Sequence, residues 1–367
     1  MKFSINREAL LKPLTLVAGV VERRQTLPVL SNILLSVDDQ QLTLTGTDLE
    51  VEIVGKVTLD QVESNGSITV AARKLLDICK SLPDHAVVNI QQVGEHLLLC
   101  SARSKFKLST LPVGDFPNIE DSPESFELEL SQDGLLKLIE RTSFAMAQQD
   151  VRYYLNGMLL EIKTGQIRAV TTDGHRLATS IMMIDLSCPA SQQLIVPRKG
   201  ILELARLLNA GDMPIKLMIG KNHIRAFTDK FIFTSKLVDG KFPDYERVIP
   251  RNGDKVVLIN RTKLRAVLSR AAILSNEKYR GVRMLFSDNS LTAIASNPQQ
   301  EKAEELLLVD YQGDQIEIGF NVGYLLDVLS VLDGNEVKII LSDVNSSALL
   351  EESNDDYSQY VVMPMRL

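Results

Sequence analysis

One segment near the middle of the chain occurs three times, and this repetition limits the folds that the chain can adopt. Residues 167–180, IRAVTTDGHRLATS, predict two short strands around a turn at Asp173-Gly174, because apolar residues alternate on both sides of an Asp-Gly pair. Similar segments lie at 42–50 and 291–297. The landmark residues Asp48, Asp173 and Asn297 are spaced by 125 and 124 residues, which indicates tandem repeats.

Other landmarks recur in the same order. Each repeat opens with a strand, a polar capping residue and an amphipathic helix, from Phe3, Leu128 and Val257. Each repeat therefore predicts β-α-β-β-β followed by α-β-β-β, an α+β fold with two helices packed on one face of an antiparallel sheet. We expect three domains of ordinary size at residues 1–122, 127–248 and 249–367.

Sheets built in this way have edge strands that must be paired or covered. Lys105–Thr110 is one candidate edge, and we expect the third repeat to supply the opposite one. Head-to-tail pairing of such edges closes into a ring or continues as a filament. Pro13 lies inside the first predicted helix, Asn6–Arg24, and is expected to kink or break it.

The net charge of −7 over 367 residues by itself argues against binding to nucleic acid. The charge is not evenly distributed, however, and has to be counted separately for each predicted element. Six helices are predicted, at 6–24, 72–81, 132–147, 198–209, 260–274 and 322–332. Together these helices are net basic, so the strands and loops carry the acidic excess. A ring with its helices turned inward would therefore have a positive hole.

Several classes of protein are excluded by composition. No apolar run approaches the ~20 residues of a membrane-spanning helix, and the N-terminus has no signal-peptide pattern. Cys79, Cys100 and Cys188 are scattered and odd in number, which fits a reducing cytoplasm better than a disulfide framework or a metal site. The chain has no P-loop motif. We expect a cytoplasmic protein with no cofactor, no metal and no membrane partner.

A catalytic interpretation rests on His175, which follows Asp173 by two residues. Neighbours at this spacing on a strand share a face, but an acid–histidine pair needs a nucleophile to form a triad. No serine or cysteine stands in a nucleophile motif, and the first repeat has Leu49 and Glu50 at the equivalent of Gly174 and His175. We expect no catalytic residues, and a hydrolase using His175 is kept as an alternative.

Several longer motifs follow one another in a family's order. They are QQDVRYYLNGM (148–158), TTDGHRLA, VPRKG, FIFTSKLVDGKFPDY (231–245), AAILSNEKYRGVR (271–283) and the terminal YVVMPMRL. With these motifs the whole chain resembles the bacterial DNA polymerase III β subunit family, the sliding clamps. The resemblance implies the DNA clamp fold, a head-to-tail homodimeric ring around duplex DNA, and a non-enzymatic processivity factor for replication.

For DNA, arginine and lysine suit phosphate, and a clamp that slides must avoid contacts to base edges. The resemblance carries Arg24, Gln149 and the segment 152–154 to the DNA-facing surface or its rim. The candidate DNA-binding residues are Lys12, Arg24, Arg73, Gln149, Arg152, Tyr153, Tyr154, Arg198 and Lys199.

For partners, the resemblance implies a peptide pocket between the second and third repeats. Its candidate residues are Leu155, Thr172, Gly174, His175, Arg176, Leu177, Pro243, Val248, Asn321, Tyr324, Val361, Val362, Met363, Pro364, Met365, Arg366 and Leu367. Methionine adapts to varied peptides, and charged residues can form a polar rim. The implied partners are the replicative polymerase subunit, the clamp loader, translesion polymerases, and mismatch-repair and ligase proteins. The alternative is that Leu155, Leu177 and Met363 are ordinary core residues.

For the homodimer, family positions correspond to Lys74, Arg103, Phe106, Ile273 and Leu274, with the acidic run Gln299–Glu305 opposite Arg103. The alternative for Phe106, Ile273 and Leu274 is burial within their own domains. Two further alternatives stay open at this point. One is a general peptide-docking scaffold whose DNA role is minor, and the other is a ring closed by three chains.

Overall fold

The structure, a computed structural model, describes residues 1–21, 27–117, 119, 124–186, 191–211, 213–251 and 253–366. In these ranges the α-helices are α1 Arg7–Ala18, α2 Ala72–Ser81, α3 Gln132–Glu140, α4 Arg198–Leu207, α5 Arg261–Ala271 and α6 Val322–Val331. The strands of the first repeat are β1 Lys2–Asn6, β2 Asn32–Asp38, β3 Gln41–Thr47, β4 Val51–Thr58, β5 Gln61–Ser64, β6 Gly66–Ala71, β7 Val87–Val93, β8 His96–Ser101 and β9 Ser104–Ser109. Those of the second are β10 Glu124–Ser131, β11 Gly157–Lys163, β12 Gln166–Thr172, β13 Arg176–Met183, β14 Gln192–Pro197, β15 Pro214–Gly220, β16 His223–Phe227 and β17 Phe231–Lys236. Those of the third are β18 Lys255–Asn260, β19 Gly281–Ser287, β20 Ser290–Ser296, β21 Lys302–Leu308, β22 Ile316–Asn321, β23 Glu336–Leu341, β24 Ala348–Glu352 and β25 Asp355–Val362.

The order of elements confirms three tandem α+β copies with two helices each. The predicted count of three strands between the two helices was wrong, because the second and third repeats have four and the first has the short β5 in addition. The strand that was missed lies directly before the second helix of each repeat. It is β6, β14 or β22, and it pairs with β2, β11 or β19 respectively. No turn residue separates this strand from its helix, so the sequence pattern merged the two.

The chain folds into two compact units, and each unit collects strands that share a sheet. The predicted domain boundaries therefore stay a prediction. The first unit comprises 1–133 and 199–237. It contains an eight-stranded sheet, β10-β15-β16-β17-β4-β3-β2-β6, and a five-stranded sheet, β5-β1-β7-β8-β9. Strand β9 lies at an edge, as predicted for Lys105–Thr110.

The second unit comprises 134–198 and 238–367. It contains an eight-stranded sheet, β14-β11-β12-β13-β25-β24-β23-β18, and a four-stranded sheet, β21-β20-β19-β22. Strand β21 of the third repeat lies at an edge, as expected. Under α5 and α6 a buried core includes Leu264, Phe286, Leu325 and Tyr360.

Both large sheets are continuous across two repeats. In the first unit β4 pairs antiparallel with β17, and Val51 lies opposite Ser235. In the second unit β13 pairs antiparallel with β25, and Arg176 lies opposite Val362. Because an antiparallel pair shares its backbone hydrogen bonds, each junction converts two would-be edges into sheet interior.

Polar caps begin three of the helices, as the sequence predicted. The side-chain oxygens of Asn6, Asn260 and Asn321 accept hydrogen bonds from the backbone N–H groups of the first turn. The helix α1 continues through Pro13, so the predicted break does not occur. Pro13 is buried, and it fits against β4 at Gly55, where an added Cβ would lie 2.9 Å from the proline Cβ.

Helix α1 ends at Ala18, so the predicted range 6–24 was too long. Helices α3 and α5 are also shorter than predicted. Each is followed by a separate 3₁₀ turn, at Ser143–Ala145 and Ala272–Leu274 respectively. Tight turns of this kind are common at the ends of α-helices. The apolar periodicity continued through both turns in the sequence, which is why the predicted helices were too long.

Gly157 provides a test of the close packing between β11 and β14. A Cβ atom at this position would lie 2.6 Å from the carbonyl oxygen of Val196, a backbone atom within the same sheet. We expect Gly157→Ala to lower the free energy of unfolding by about 1–3 kcal/mol, because such overpacking cannot be relieved by a rotamer change. Urea denaturation measures the effect.

The matched control is Gly114→Ala, because a Cβ atom there meets nothing within 4 Å. We expect this variant to change the free energy of unfolding by less than about 0.5 kcal/mol. Equal stabilities of the two variants would contradict the close approach at Gly157.

Candidate functional site

The turn between β12 and β13 is closed by its own side chains. Asp173 Oδ1 accepts the backbone N–H groups of His175 at 2.9 Å and of Arg176 at 3.0 Å. Thr172 Oγ1 accepts the N–H of Gly174 at 3.0 Å and donates to the carbonyl of Arg176 at 2.6 Å. Gly174 has φ +88°, a value that favours glycine. The residues T-D-G are therefore explained by a rigid turn that presents His175 to solvent.

The landmark residue has the same structural role in all three repeats. Asp48 accepts the backbone N–H groups of Glu50 and Val51 at 2.9 and 2.7 Å, and Asn297 accepts that of Glu301 at 3.0 Å. Asx residues close turns in this way. In addition, Asp48 forms an ion pair with Lys199, and the second oxygen of Asp173 accepts Arg176 Nε at 3.1 Å.

Arg176 connects the turn to helix α6 and to the 3₁₀ turn after α3. Its guanidinium donates to Asp173, to Asp327 and, at 2.8 Å, to the carbonyl of Phe144. The Cζ atom lies 4.4 Å from the centre of the Tyr324 ring, within the range of a cation–π contact. Because three acceptors and an aromatic ring already occupy this guanidinium, Arg176 serves to position the site.

The tail follows β25 along the same turn. The backbone N–H of Met363 donates to the carbonyl of His175 at 2.9 Å, and that of Met365 donates to Gly319 at 2.8 Å. The side chain of Met363 is 42% exposed, Pro364 and Met365 are half-buried and Arg366 is exposed. The tail is thus held by backbone hydrogen bonds while its methionines stay accessible. Leu367, also a predicted pocket residue, lies outside the described residues.

Four predicted pocket residues are core residues in the structure. Leu155, Leu177 and Val361 pack in a buried cluster with Phe242 and Tyr245, and Val362 belongs to the core of the third repeat. The alternative of ordinary burial, which the sequence left open for Leu155, Leu177 and Met363, therefore describes Leu155 and Leu177, and the structure adds Val361 and Val362 to the buried residues. It does not describe Met363, and the exposed apolar surface here comes from Met363, Pro243 and Val248.

Two cavities adjoin the exposed members of the predicted pocket. One, of about 740 Å³, is lined by Asp244, by residues 246–251, which include Val248, and by Ser342, Ser346 and Ser347. The other, of about 500 Å³, is lined by Met365 and Arg366 together with residues of β19 and β20 and with Tyr279. Asn321, which caps α6, donates to the carbonyl of Tyr279 at 3.3 Å. Cavities of this size suit short peptide side chains.

The loop before β11 lies beside the turn. The guanidinium of Arg152 donates to both oxygens of Asp150, at 3.0 and 2.9 Å, and lowers the pKa of that carboxyl to about 2. Arg152 also donates to the carbonyl of Asp173 at 3.4 Å. Tyr153 is exposed and its ring lies edge-on to that of half-buried Tyr154, at 5.9 Å. Gln149 is exposed and has φ +58°.

The remaining predicted DNA-binding residues differ in availability. Lys12 on α1 and Arg73 on α2 are exposed. Lys199 is held by Asp48, and Arg198 donates to the carbonyl of Met146 at 3.3 Å. Arg24 lies outside the described residues.

The predicted dimer residues lie at or near two sheet edges, one in each unit. In the first unit Lys74 and Arg103 are exposed, and Phe106 on β9 is half-buried. In the second unit Ile273 is 76% exposed, and Leu274 beside it is half-buried. Burial inside the third repeat, the alternative for Ile273, is therefore wrong.

The geometry does not support an acid–histidine pair at Asp173. Its carboxylate is occupied by backbone N–H groups and by Arg176, and the imidazole of His175 is exposed. Within the described ranges, His, Cys, Asp and Glu form no cluster of three or more that could hold a metal ion. Every helix in those ranges is too short or too polar to cross a bilayer.

Sequence reasoning missed Phe144, Asp150 and Asp327, which hold the two arginines of the site. A signal existed only for Asp327. It is the single acidic residue of α6 and lies three positions after Tyr324, which places both on one face of the helix.

Three family models match the chain in succession. They are the DNA polymerase III beta subunit N-terminal domain over residues 1–120, its central domain over 129–244 and its C-terminal domain over 246–366. The beta sliding clamps of Pseudomonas putida and Escherichia coli K12 are 61% and 53% identical over 367 residues, with 100% of each chain covered. The crystal structure of the DNA polymerase III subunit beta from Pseudomonas aeruginosa has 60% identity, a TM-score of 0.97 and full coverage of both chains. A clamp from the same species bound to griselimycin matches equally well.

Replacing Arg176 by lysine tests its positioning role. Lysine keeps the positive charge but cannot donate to Asp173, Asp327 and Phe144 together. We expect Arg176→Lys to lower the free energy of unfolding by about 2–3 kcal/mol, because partly buried acceptors lose their donors. Arg283→Lys is the control, since Arg283 and its partner Glu317 are each nearly half exposed, and we expect a loss below about 1 kcal/mol. Similar urea midpoints for both variants would contradict this role.

The Arg152–Asp150 pair predicts a titration. Arg152 stabilises the ionised form of the Asp150 carboxylate. The contribution of this ion pair to the stability of the fold is therefore present near neutral pH and is lost as the pH falls towards 2. In Arg152→Ala we expect the pKa of Asp150 to rise from about 2 towards the usual ~3.9, followed by NMR of the carboxyl carbon. Glu8, whose pKa the backbone N–H of His85 lowers to about 2, should be unchanged. An unaltered Asp150 midpoint would refute the assignment.

Proposed function

We infer that this chain, which belongs to the DNA polymerase III beta subunit family, is a sliding clamp that tethers replication proteins to duplex DNA. One geometric observation supports this best. The pairing of β13 with β25 brings the exposed His175 turn and the methionine tail side by side within one sheet. A partner peptide thus meets an apolar surface with a polar rim, formed by two repeats of the same chain.

We propose that the chain forms a ring with a second copy by pairing β9 of one with β21 of the other. Each strand is the edge of its sheet and offers unpaired backbone groups. Phe106 faces outward in part on β9, and Leu306 and Leu308 are 67% and 80% exposed on β21. Lys74, Arg103, Ile273 and Leu274 would flank this contact. A head-to-tail contact of this kind closes into a ring when the rotation between copies closes, and we propose that two copies complete it.

We propose that DNA passes through the ring and that attachment is topological. Lys12 and Arg73 are the strongest candidates for phosphate contacts, because both are exposed and make no ion pair with a described residue. Arg24, Gln149, Arg152, Tyr153, Tyr154, Arg198 and Lys199 complete the proposed surface. Few basic residues are needed when escape requires the opening of a ring, which reconciles DNA binding with a net charge of −7.

We propose that short peptide motifs compete for the site beside the tail. Pro243, Val248 and Met363 supply exposed apolar surface, while His175 and Arg366 supply a polar rim. The proposed partners are the replicative polymerase subunit, the clamp loader, translesion polymerases, and mismatch-repair and ligase proteins. Leu155, Leu177 and Val361 would act as the floor beneath a bound peptide.

We further propose that the chain acts in the cytoplasm and catalyses no reaction. The carboxylate of Asp173 is occupied by structural hydrogen bonds, which argues against a hydrolase built on His175. Cys79 and Cys100 are free thiols, in keeping with a reducing compartment.

One observation favours a peptide-docking scaffold with a minor DNA role as the second candidate. Two of the predicted DNA contacts, Arg152 and Lys199, are already paired with carboxylates of the chain. The scaffold predicts that Arg24→Glu with Lys199→Glu leaves the support of DNA synthesis untouched. The clamp predicts that this pair of changes impairs it.

Retention on DNA tests the topological claim. After loading by a bacterial clamp loader, the protein should persist on nicked circular DNA and be lost from the same DNA after linearisation. Raising salt should affect retention on circles far less than the roughly 10³–10⁵-fold loss typical of binding through many phosphates. The readout is clamp that co-elutes with DNA in gel filtration.

Two controls sharpen this experiment. Blocking both ends of the linear DNA with a bulky protein should restore retention. Because the clamp loader is itself a proposed partner of this site, Met363→Ala should be loaded less, so retention is expressed as the fraction of loaded clamp that remains. That fraction should equal the value for the unaltered protein on circles, whereas stimulation of the polymerase per loaded clamp should be lower. Equal loss from circular and linear DNA would contradict the proposal.

A further inference from the structure

A second groove lies in the first compact unit, between α1 and the end of α4. Its floor is apolar and consists of Leu11 and Leu16 of α1, Leu207 of α4 and Phe231 of β17. The groove encloses about 590 Å³, enough for one or two bulky side chains. These residues belong neither to the partner site beside the tail nor to the sheet edges.

The rim of this α1–α4 groove carries uncompensated positive charge. Lys12 and Lys230 line it, are exposed and make no ion pair with any described carboxylate. Arg206 is occupied, because it pairs with Glu203 at 2.8 Å and donates to the carbonyl of Leu16 at 2.7 Å. Glu8 also lines the groove. Its Oε1 accepts hydrogen bonds from Arg7 and from the backbone N–H of His85, whereas its Oε2 is buried and has no hydrogen-bond partner among the described residues.

The repeat structure supplies an internal comparison in the second unit. There α3, α6 and the turn before β25 take the places of α1, α4 and the turn before β17. Arg141 stands 125 residues after Leu16, and it lies 3.0 Å from Asp333 and 3.0 Å from Asp355. Asp333 follows the end of α6 as Asn209 follows the end of α4, by two residues. The chain therefore closes this place with its own ion pairs.

The α1–α4 groove and the equivalent position in the second unit thus differ in their charged groups. The second unit provides a cation and two carboxylates. The groove of the first unit provides an apolar floor, Asn209 and two lysines, beside Glu8 and Arg206, which bond to other groups of the chain. Carboxylates from outside would restore the missing charge, and an apolar side chain would remove the floor from water. A DNA phosphate could reach the lysines but would leave the apolar floor in water.

We propose that the α1–α4 groove is a second docking site, which binds an acidic peptide segment that carries a bulky apolar side chain. The apolar side chain packs on Leu11, Leu16, Leu207 and Phe231. Flanking carboxylates of the peptide pair with Lys12 and Lys230. Because Lys12 is also a proposed DNA contact, an occupied groove competes with DNA for this lysine.

The probe is the synthetic peptide Asp-Glu-Asp-Trp-Leu-Asp-Glu-Asp. The chain contains no tryptophan, so the fluorescence of the peptide reports binding to the full-length protein without background. One matched peptide has Asn and Gln in place of every acid, and a second has Ser in place of Trp-Leu. We expect both to bind at least about tenfold more weakly than the probe.

Two variants test the site. Lys12→Glu with Lys230→Glu reverses both rim charges on exposed residues, and we expect about tenfold weaker binding of the probe. Leu16→Arg with Asn209→Asp copies one of the two ion pairs of the second unit, that of Arg141 with Asp333, and we expect binding to be lost because the new arginine also covers the apolar floor. Circular dichroism and thermal melting establish that each variant is folded. Met363→Ala, altered only at the site beside the tail, should bind the probe as the unaltered protein does.

The proposal is overturned by any of three results. These are no binding of the probe at millimolar concentration, equal binding of the probe by the charge-reversed variant, or loss of binding in Met363→Ala. Equal binding of the probe together with a lost affinity for a short DNA duplex would make the groove a phosphate site.

Discussion

The antiparallel pairing of strands from neighbouring repeats is the interaction on which the rest of the structure depends. A repeat built of short strands leaves edges, and an exposed edge invites pairing with any other chain. Here β4 joins β17 in the first unit, and β13 joins β25 in the second. The compact units therefore correspond to the shared sheets and not to the repeats, and each unit contains parts of two repeats. Without the second pairing, the turn at Asp173 would have no tail beside it.

The three repeats share one turn of the backbone and differ in the charged side chains around it. The Asx turn recurs at Asp48, Asp173 and Asn297, but the cation that meets the carboxylate is Lys199 in one case and Arg176 in another. Such changes cost little, because the turn is held by backbone N–H groups. One junction presents an accessible methionine tail, and the other presents a basic groove with an apolar floor.

The sequence predicted the features that depend on local spacing. The hairpin around Asp173, the bounds of α2 and the edge strand near Lys105 are all set by residues a few positions apart. The sequence placed Asp327 and Tyr324 on one face of α6, but it could not show that this face meets Arg176, because Asp327 lies 151 positions away along the chain. The predicted pocket also mixed core with surface. Leu177 and Met363 are both apolar, and only the packing of Phe242 and Tyr245 shows that the first is buried and the second is not.

The position of β25 has a consequence for synthesis. It is the last strand of the chain, yet it lies inside an eight-stranded sheet, between β13 and β24. While a ribosome is making the protein, β13 has no neighbour on that side until residues 355–362 have emerged. A product that ends before residue 355 leaves the edges of β13 and β24 unpaired and lacks the methionine tail. We therefore expect an unfinished copy to be prone to aggregation through these open edges until β25 pairs with them.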